Sequence, residues 1–292
     1  MKEKTKGVLL DVLVYLLAFG VGLVPFILID NVFFATAAFT ATATLIVFLF
    51  STVFSDVSIY DPYWSVAPIV MILIDMIKYR LYTGNAFVLA ALFAIWSVRL
   101  TGNWYMTYKG LGHEDWRYAQ YRMRYRPLPF HFISFTGLHF IPTIVVYLGF
   151  VSAIFAMRVN GFSFLSLIGV CVMLAAVGLE FFSDRAIHRF LREHKGENRT
   201  CDVSVWKYSR HPNYLGEMSF WFGAYLFFVA VCPGEWYKGL GFLSIIVLFL
   251  VVSIPMMEKH NAERRSDYVA YKARTSMLFL LPNRMPKDGQ GK

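Results

Sequence analysis

Long apolar runs separated by short polar segments make up most of this chain. A helix needs about 20 apolar residues to cross a bilayer, and most of the runs approach that length. The third run is the shortest and contains Asp75, so it fits a full span least well. The eight runs predict eight transmembrane helices, at residues 8–29, 32–54, 66–77, 86–104, 132–157, 162–183, 214–232 and 240–257.

The first run is too long for the apolar region of a signal peptide and has no small-residue cleavage site, so we interpret it as a retained span. The sequence contains no pair of similar halves. We therefore predict one all-α, multi-span helical membrane domain over residues 1–285, with seven to eight transmembrane helices and an interfacial loop helix, followed by a disordered tail at 286–292.

The composition agrees with a membrane protein. Of the 292 residues, 57% are hydrophobic and only 16% are charged, against about 25% charged residues in a soluble domain. The formal charge of +9 indicates membrane topology and attraction to anionic lipid. We predict no nucleic-acid partner, because the chain has no soluble basic domain to hold one.

Most of the 28 lysine and arginine residues fall into four clusters. Eight spans put all four clusters on one side of the membrane, whereas seven spans would divide them. By the positive-inside rule this side is cytoplasmic, which predicts cytoplasmic termini and, in a bacterium, an inner-membrane location. The clusters lie within residues 2–6, 109–126, 185–210 and 259–292.

Cysteine and histidine provide no disulfide or metal motif. Cys171, Cys201 and Cys232 lie far apart, without a CxxC pair. The seven histidines form no HExxH motif and none of the spaced pairs that a membrane di-iron oxygenase needs. We therefore predict no metal ion.

Charged residues also lie within the fourth span and at the end of the sixth span. Arg99 in the fourth span either snorkels to the surface along its own methylene groups or faces a polar interior. Glu180 and Asp184 are four residues apart and share one face of the sixth span. Because carboxyl groups are costly against lipid, we predict that both face inward, towards Arg210 or a ligand hydroxyl.

Three polar segments carry aromatic or basic residues. The link at 55–64 contains Asp61 and no basic residue, and is either an interfacial turn or a carboxyl group and tyrosines folded back into a cavity. Residues 112–122 are amphipathic, a pattern typical of a helix lying flat on the bilayer. The tail beyond residue 257 continues the last span as a charged helix, whose arginines either anchor that span or neutralise phosphates.

The densest polar cluster reads WKYSRHPNYLGE at residues 206–217, directly before an apolar span. Polar groups at the membrane edge are costly against hydrocarbon, so this cluster predicts a ligand site. Pro212 fits the first turn of a helix, whose free N–H groups would bind an anion such as a phosphate. Asn213 and Glu217 would share one face of that helix.

These residues together resemble the steroid 5α-reductase superfamily, and most of all its uncharacterised, mostly bacterial branch. The resemblance covers about residues 55–282. It depends on motifs in the same order: DPYW at 61–64, WSVRL at 96–100, EDWRY at 114–118, Glu180 and Asp184, the central WKYSRHPNYLGE, and Tyr268, Tyr271, Arg274 and Pro282 in the tail.

The resemblance implies a multi-span helical enzyme that binds NADPH without a Rossmann fold, in a cavity open to the cytoplasm. Its matches at Asp184, Asn213 and Glu217 imply contacts with the nicotinamide and the ribose. Arg192, Arg210 and the tail arginines would then contact the phosphates. The cofactor-binding residues implied in this way are Glu180, Asp184, Arg192, Trp206, Tyr208, Arg210, His211, Asn213, Tyr214, Glu217, Tyr271 and Arg274.

The resemblance also implies a catalytic acid. Where the steroid reductases place an acid after the second span to polarise an enone carbonyl, this chain has Asp61, with Tyr60 or Tyr63 as its helper. The steroid enzymes carry a Gln-Glu pair there and this chain carries Tyr-Asp. We therefore expect a hydrophobic substrate that is steroid-like, an isoprenoid or an enoyl lipid, and that need not be a steroid itself.

The implied chemistry is transfer of hydride to the β-carbon of an α,β-unsaturated carbonyl in an enone or enoyl lipid. Negative charge grows on the carbonyl oxygen, so a protonated carboxyl group or a tyrosine hydroxyl has to contact it. We expect Asp61 to stay protonated in an apolar cavity, because burial penalises the charged form. The predicted partners are NADPH, a hydrophobic small-molecule substrate and membrane lipid.

Two other functions stay open. Isoprenylcysteine carboxyl methyltransferases share an Arg-His-Pro-x-Tyr turn and use S-adenosylmethionine, although they carry two consecutive glutamates where this chain has Glu258 and Lys259. The other is a non-catalytic transporter or lipid-handling protein, with a polar pathway of Asp75, Arg99, Glu180 and Glu217 and helix breaks at Pro25, Pro68, Pro142 and Pro255.

Overall fold

The computed structural model describes residues 2–283, which are largely helical and contain no β-strand. Eight helices in this range are long and apolar enough to cross a membrane, which confirms the all-α multi-span fold, including the short third span. The tail predicted at 286–292 lies outside the described residues. In chain order the helices are α1 (Lys2–Leu28), α2 (Val32–Val53), α3 (Tyr63–Tyr79), α4 (Gly84–Thr107), α5 (Trp116–Arg124), α6 (Pro127–Met157), α7 (Ser166–Glu193), α8 (Pro212–Val231), α9 (Pro233–Arg264) and α10 (Tyr268–Arg274).

Capping residues explain where several helices begin. The side chains of Asn31, Thr83 and Asp115 accept hydrogen bonds from first-turn N–H groups of α2, α4 and α5. Such acceptors satisfy N–H groups that have no partner within the helix. The first helical residue of α8 is Pro212, which has no N–H to satisfy. Short polar segments of the sequence therefore set the boundaries of the spans.

The eight long helices run alternately in opposite directions. The start of α1 and the end of α9 therefore lie at the same end of the bundle. This end also carries α5 and α10, together with the loop that joins α7 to α8. We call it the basic end, because the described lysine and arginine residues of the four clusters belong to its segments. A 3₁₀ turn at this end, Val57–Tyr60, leads into α3.

The most extensive helix contact joins α7 and α8, where glycines let the two backbones touch. A Cβ atom at Gly169 would lie 2.6 Å from the backbone nitrogen of Phe227, and one at Gly223 would lie 2.9 Å from the backbone nitrogen of Met173. Small residues allow such close approach between membrane helices. The pair brings together four of the predicted site residues, namely Glu180, Asp184, Asn213 and Glu217.

Helices α6 and α9 are irregular at corresponding places. Each contains a π-helical segment, Ser134–Phe140 in α6 and Leu248–Ser253 in α9, and each segment lies just before a proline, Pro142 or Pro255. Proline has no N–H, so the carbonyl group four residues earlier loses its helical partner. A π-helical turn is a known form of such irregularity and is frequent at functional sites.

The close α7–α8 contact predicts that Gly169→Ala destabilises the protein by about 1–3 kcal/mol, because the added methyl group overlaps the α8 backbone. The matched control is Gly178→Ala in the same helix, where no atom lies within 4 Å of the added methyl position. This control should keep or slightly raise the stability. Thermal unfolding in one detergent measures both variants. A Gly169→Ala protein that melts at or above the wild-type temperature would contradict the contact.

Candidate active site

A cavity of about 420 Å³ lies between the helices near the basic end. This volume is typical of small-molecule binding sites. Its polar wall comes from the residues just before α3, from α5 and the residue that caps it, and from the parts of α4, α7 and α8 nearest the basic end, whereas α6 and α9 form an apolar wall. Seven of the predicted site residues line it: Tyr60, Asp61, Glu180, Asp184, Asn213, Tyr214 and Glu217.

Arg99 is held inside the protein by carboxyl groups, and its side chain is only 9% exposed. Its Nη1 donates to Asp184 Oδ2 at 2.9 Å, and its Nη2 contacts the Glu180 carboxylate and lies 3.8 Å from Glu217 Oε2. The inward orientation of Glu180 and Asp184 agrees with the sequence, but their partner is Arg99 and not Arg210. A buried charge needs such partners, so Arg99 ties α4 to α7 and α8.

Glu217 is fixed through both of its carboxylate oxygens. The indole Nε1 of Trp96 donates to Oε2 at 3.1 Å, and that of Trp221 donates to Oε1 at 2.9 Å. The Trp96 ring stacks on Phe220, with ring centroids 5.1 Å apart. These contacts keep the Glu217 side chain in one orientation, with its carboxylate facing the cavity close to the Arg99 guanidinium group.

A second polar group in the cavity contains Asp61 and Tyr118. The Tyr118 hydroxyl donates to Asp61 Oδ1 at 2.5 Å, and Arg117 Nη2 lies 3.9 Å from the same oxygen. Burial and the neighbouring Asp61 raise the pKa of Tyr118 well above its ordinary value, so the phenol keeps its proton. Tyr118 belongs to α5, which is fixed to the 3₁₀ turn by the Asp115 N–H donating to Ser58 Oγ at 2.9 Å. The predicted loop helix therefore contributes directly to the cavity.

The two tyrosines beside Asp61 lie in different places. Tyr60 lines the cavity, and its hydroxyl lies 2.8 Å from Thr143 Oγ1. Tyr63 lies behind the cavity wall, where its hydroxyl accepts from Thr44 Oγ1 at 3.2 Å and donates to a backbone carbonyl of α2. Of the two helpers predicted for Asp61, only Tyr60 reaches the cavity.

Arg210, which the sequence predicts to contact a phosphate, has its side-chain donors occupied by other residues of the chain. Its Nε and Nη2 each lie 2.7 Å from Glu258 Oε1, and its Nη1 donates to the backbone carbonyls of Lys272 and Thr275. Lys272 Nζ lies 2.6 Å from Glu258 Oε2, and His211 Nε2 lies 3.4 Å from Oε1. We call Arg210, His211, Glu258 and Lys272 the tail clamp. It fastens the start of α8 to α9 and α10.

The remaining predicted cofactor residues also lie outside the cavity lining. Trp206 donates from Nε1 to the backbone carbonyl of Ser183 in α7 at 2.9 Å, and Tyr271 donates to the Trp206 carbonyl at 2.6 Å. Arg274 pairs with the carboxylate of Asp202 at 2.7 Å. These contacts hold the tail against the 3₁₀ turn Ser204–Lys207. The other two residues, Arg192 and Tyr208, have exposed side chains.

Several cavity groups have no hydrogen-bond partner within residues 2–283. Arg99 Nε and Glu180 Oε1 are buried without one. The side-chain amide of Asn213 also makes no hydrogen bond in this range. Because buried polar groups are nearly always satisfied, these atoms fit a ligand that carries hydroxyl or amide groups.

Reasoning from the sequence alone missed four residues that make these contacts: Trp96, Arg117, Tyr118 and Trp221. A signal existed for the first three, since the WSVRL and EDWRY motifs contain them. Trp221 lies in a continuous apolar run, where an indole N–H donor cannot be told from a packing residue.

A family model described as a protein of unknown function (DUF1295) matches residues 47–275. This range contains every residue that lines the cavity. No curated protein and no solved structure matches the chain.

The ion-pair cluster predicts a large loss of stability when its cation is removed. Arg99→Met leaves three carboxyl groups together and should destabilise the protein by about 3–5 kcal/mol. The control Arg185→Met, which removes an exposed arginine without an ion pair from α7, should change the stability by less than about 0.5 kcal/mol. Adding Glu180→Gln to Arg99→Met should recover part of the loss in a thermal unfolding assay. A double variant no more stable than Arg99→Met would contradict the pairing.

The tail clamp predicts a pH-dependent stability. Burial lowers the pKa of His211 from its ordinary value of 6.5, although Glu258 opposes this effect. The unfolded chain therefore binds the proton more readily, and the stabilisation by neutral His211 is present above the unfolded pKa and is lost as the pH falls through the lower folded value. Between about pH 7.5 and about pH 5, the melting temperature should fall less in His211→Gln than in the wild type. The exposed His113→Gln should follow the wild type, and equal falls in His211→Gln and wild type would refute the role of His211.

Proposed function

The chain belongs to the DUF1295 family of proteins of unknown function, and we propose that it is a membrane-embedded reductase that uses NADPH. Its reaction is reduction of a C=C bond conjugated to a carbonyl group in a hydrophobic substrate. The observation that carries the proposal is one cavity that holds the Asp61–Tyr118 pair together with unsatisfied polar groups on α4, α7 and α8. The likeness of its motifs to the steroid 5α-reductase superfamily agrees with this proposal.

The nicotinamide and ribose of NADPH fit the polar wall. The free amide of Asn213 can donate to and accept from the carboxamide of the nicotinamide. Asp184 and Glu217 line the cavity as carboxylates, and carboxylates accept hydrogen bonds from ribose hydroxyls in dinucleotide sites. The unsatisfied Glu180 Oε1 and Arg99 Nε offer a further acceptor and donor. These residues would therefore hold the reducing end of the cofactor.

The phosphates of the cofactor belong outside this polar wall, because carboxyl groups surround Arg99. Arg192 lies at the end of α7, beyond Asp184, and makes no hydrogen bond or ion pair within the described residues. It is therefore free to bind a phosphate, which Arg210 is not. This arrangement requires the basic end to face the cytoplasm, where NADPH is available, as the positive-inside rule predicts.

The protein residues would supply proton chemistry and orientation. NADPH, when bound, supplies the hydride. Tyr118 keeps its proton because burial and Asp61 raise its pKa. Its one hydroxyl hydrogen goes to Asp61 when no substrate is bound. With Asp61 protonated, as the sequence predicts, the carboxyl group would donate to the phenol oxygen, and the phenol hydrogen would then be free to donate to the carbonyl oxygen as negative charge grows there. Tyr60 lies at the same wall. The apolar wall from α6 and α9 excludes water from the reacting carbon atoms.

One observation favours a second candidate, a methyltransferase that uses S-adenosylmethionine. Five carboxyl groups and two guanidinium groups line the cavity, and this excess of negative charge suits the sulfonium cation of that cofactor. The transport alternative has less support. Asp75 hydrogen-bonds to Thr36 away from the cavity lining, and Pro25 and Pro68 lie within continuous helices. The other three residues of the predicted pathway, Arg99, Glu180 and Glu217, line the cavity without Asp75.

The test identifies the nucleotide that the purified protein carries. Protein purified in mild detergent and then denatured should release NADP(H), as detected by mass spectrometry. A variant with Asn213→Ala and Glu217→Ala should release none, whereas the control with Asn198→Ala and Glu263→Ala in exposed positions should release the wild-type amount. Tyr118→Phe should keep the nucleotide but reduce a conjugated enone about 10²–10⁴-fold more slowly.

Each other outcome of this test has a definite meaning. Release of S-adenosylmethionine or its demethylated product would replace the reductase by the methyltransferase. Absence of both nucleotides, even after addition at millimolar concentration, would refute both enzymatic functions.

A further inference from the structure

The apolar wall of the cavity is formed by two helices that cross and then diverge. At the crossing, Gly241 of α9 contacts the α6 backbone, and Gly149 of α6 contacts a side chain of α9. Nearer the basic end, Leu138 of α6 and Val252 of α9 both line the cavity. The cavity therefore lies between the diverging halves of α6 and α9.

The opening between these halves is closed at the basic end. Trp116 at the start of α5 stacks on His260 of α9, with ring centroids 3.6 Å apart. The gap between the glycine crossing and this stack is bounded at both ends, and we call it the α6–α9 window. Within it, the α9 segment Leu248–Ser253 contains no buried residue, and Val252 is 49% exposed although it lines the cavity. The neighbouring Val251 is 67% exposed and does not line the cavity, so at this level α9 lies between the cavity and the outer surface of an apolar span.

Both sides of the window are helices with weakened hydrogen bonding. The π-helical segments of α6 and α9 lie at this level, each followed by a proline that removes one backbone donor. Helices bend at such positions. The side chains that face the window are aliphatic or aromatic, so lipid chains can replace their contacts at little cost. The window can therefore widen without breaking an ion pair.

The charge of the cavity restricts what can pass through the window. An anionic head group, such as a phosphate or a carboxylate, would meet an excess of negative charge and would be repelled. An uncharged carbonyl head group avoids that repulsion and can accept a hydrogen bond from Tyr118. The ionisable groups that line the cavity are Asp61, Arg99, Asp115, Arg117, Glu180, Asp184 and Glu217.

We propose that the α6–α9 window is a lateral entrance for the substrate, and that the substrate is an uncharged lipid with an apolar chain and a carbonyl-bearing head. The head group reaches Tyr118, and the chain lies between Leu138 and Val252 with its end in the bilayer. The inference that this lipid carries a carbonyl group rests on the proposed function. The position of the entrance and the exclusion of anionic lipids do not depend on it.

Photolabelling in vesicles tests the proposal. The full chain is reconstituted in phosphatidylcholine with a long-chain methyl enone that carries a diazirine in the middle of its chain, which the proposal places between Leu138 and Val252. Labelling should be saturable and should map to residues 137–146 and 245–256. Excess unlabelled enone should compete, whereas the enoic acid of the same chain length should compete at least about tenfold less well. Equal competition by the acid would refute the exclusion of anionic lipids.

A pair of variants tests the position of the entrance. Val252→Trp fills the window and should lower saturable labelling at least about tenfold. The matched control is Leu250→Trp, in the same π-helical segment but outside the cavity lining, and it should label like the wild type. Labelling that is not saturable, that spreads over the outer surface of α1, or that is unchanged in Val252→Trp would refute the entrance.

Nucleotide release from the same preparations separates this proposal from the proposed function. Bound NADP(H) without saturable labelling would overturn the window and leave the reductase intact. Saturable, Val252-dependent labelling without any bound nucleotide would support the window and overturn the reductase.

Discussion

A permanently charged guanidinium group buried at membrane depth is the constraint on which the candidate site depends. Arg99 cannot become neutral by losing its proton, so it needs carboxylates close by. Glu180 and Asp184 on α7 and Glu217 on α8 provide them. The glycine contacts that bring the α7 and α8 backbones together also bring these carboxylates to one cation. Helix packing and electrostatics therefore specify the same arrangement of α4, α7 and α8.

This arrangement leaves more carboxyl groups than cations in the cavity. The indole donors of Trp96 and Trp221 offset part of that imbalance at Glu217, but Glu180 Oε1 makes no hydrogen bond within the described residues. The free basic groups lie at the basic end instead, outside the cavity. A ligand with hydroxyl groups at one end and phosphates at the other matches this separation of charge, which supports the proposal of NADPH despite its net negative charge.

The sequence predicts the features that depend on local pattern. The length of the apolar runs predicts the eight spans, and the four-residue spacing of Glu180 and Asp184 predicts that they share one face of a helix. The sequence could not predict which side chains from distant segments form ion pairs with each other. Arg210, in the motif with the strongest resemblance, is bound to Glu258 and to tail carbonyls, whereas Arg99 holds the predicted carboxylates. Helical periodicity shows which face a residue occupies but not which of several arginines a tertiary fold will bring to that face.

The polar and apolar walls of the cavity differ in the free energy that their movement costs. Removing Arg99 from its carboxylates would leave buried charges unpaired, at a cost of about 3–5 kcal/mol. Separating α6 from α9 exposes aliphatic side chains to lipid chains of the same chemical nature, so little free energy is lost. The π-helical segments belong to the apolar wall, where movement costs little free energy. The ion pairs belong to the polar wall, which has to stay fixed. A site built in this way can admit a bulky apolar molecule while the polar groups that orient its reacting end keep their positions.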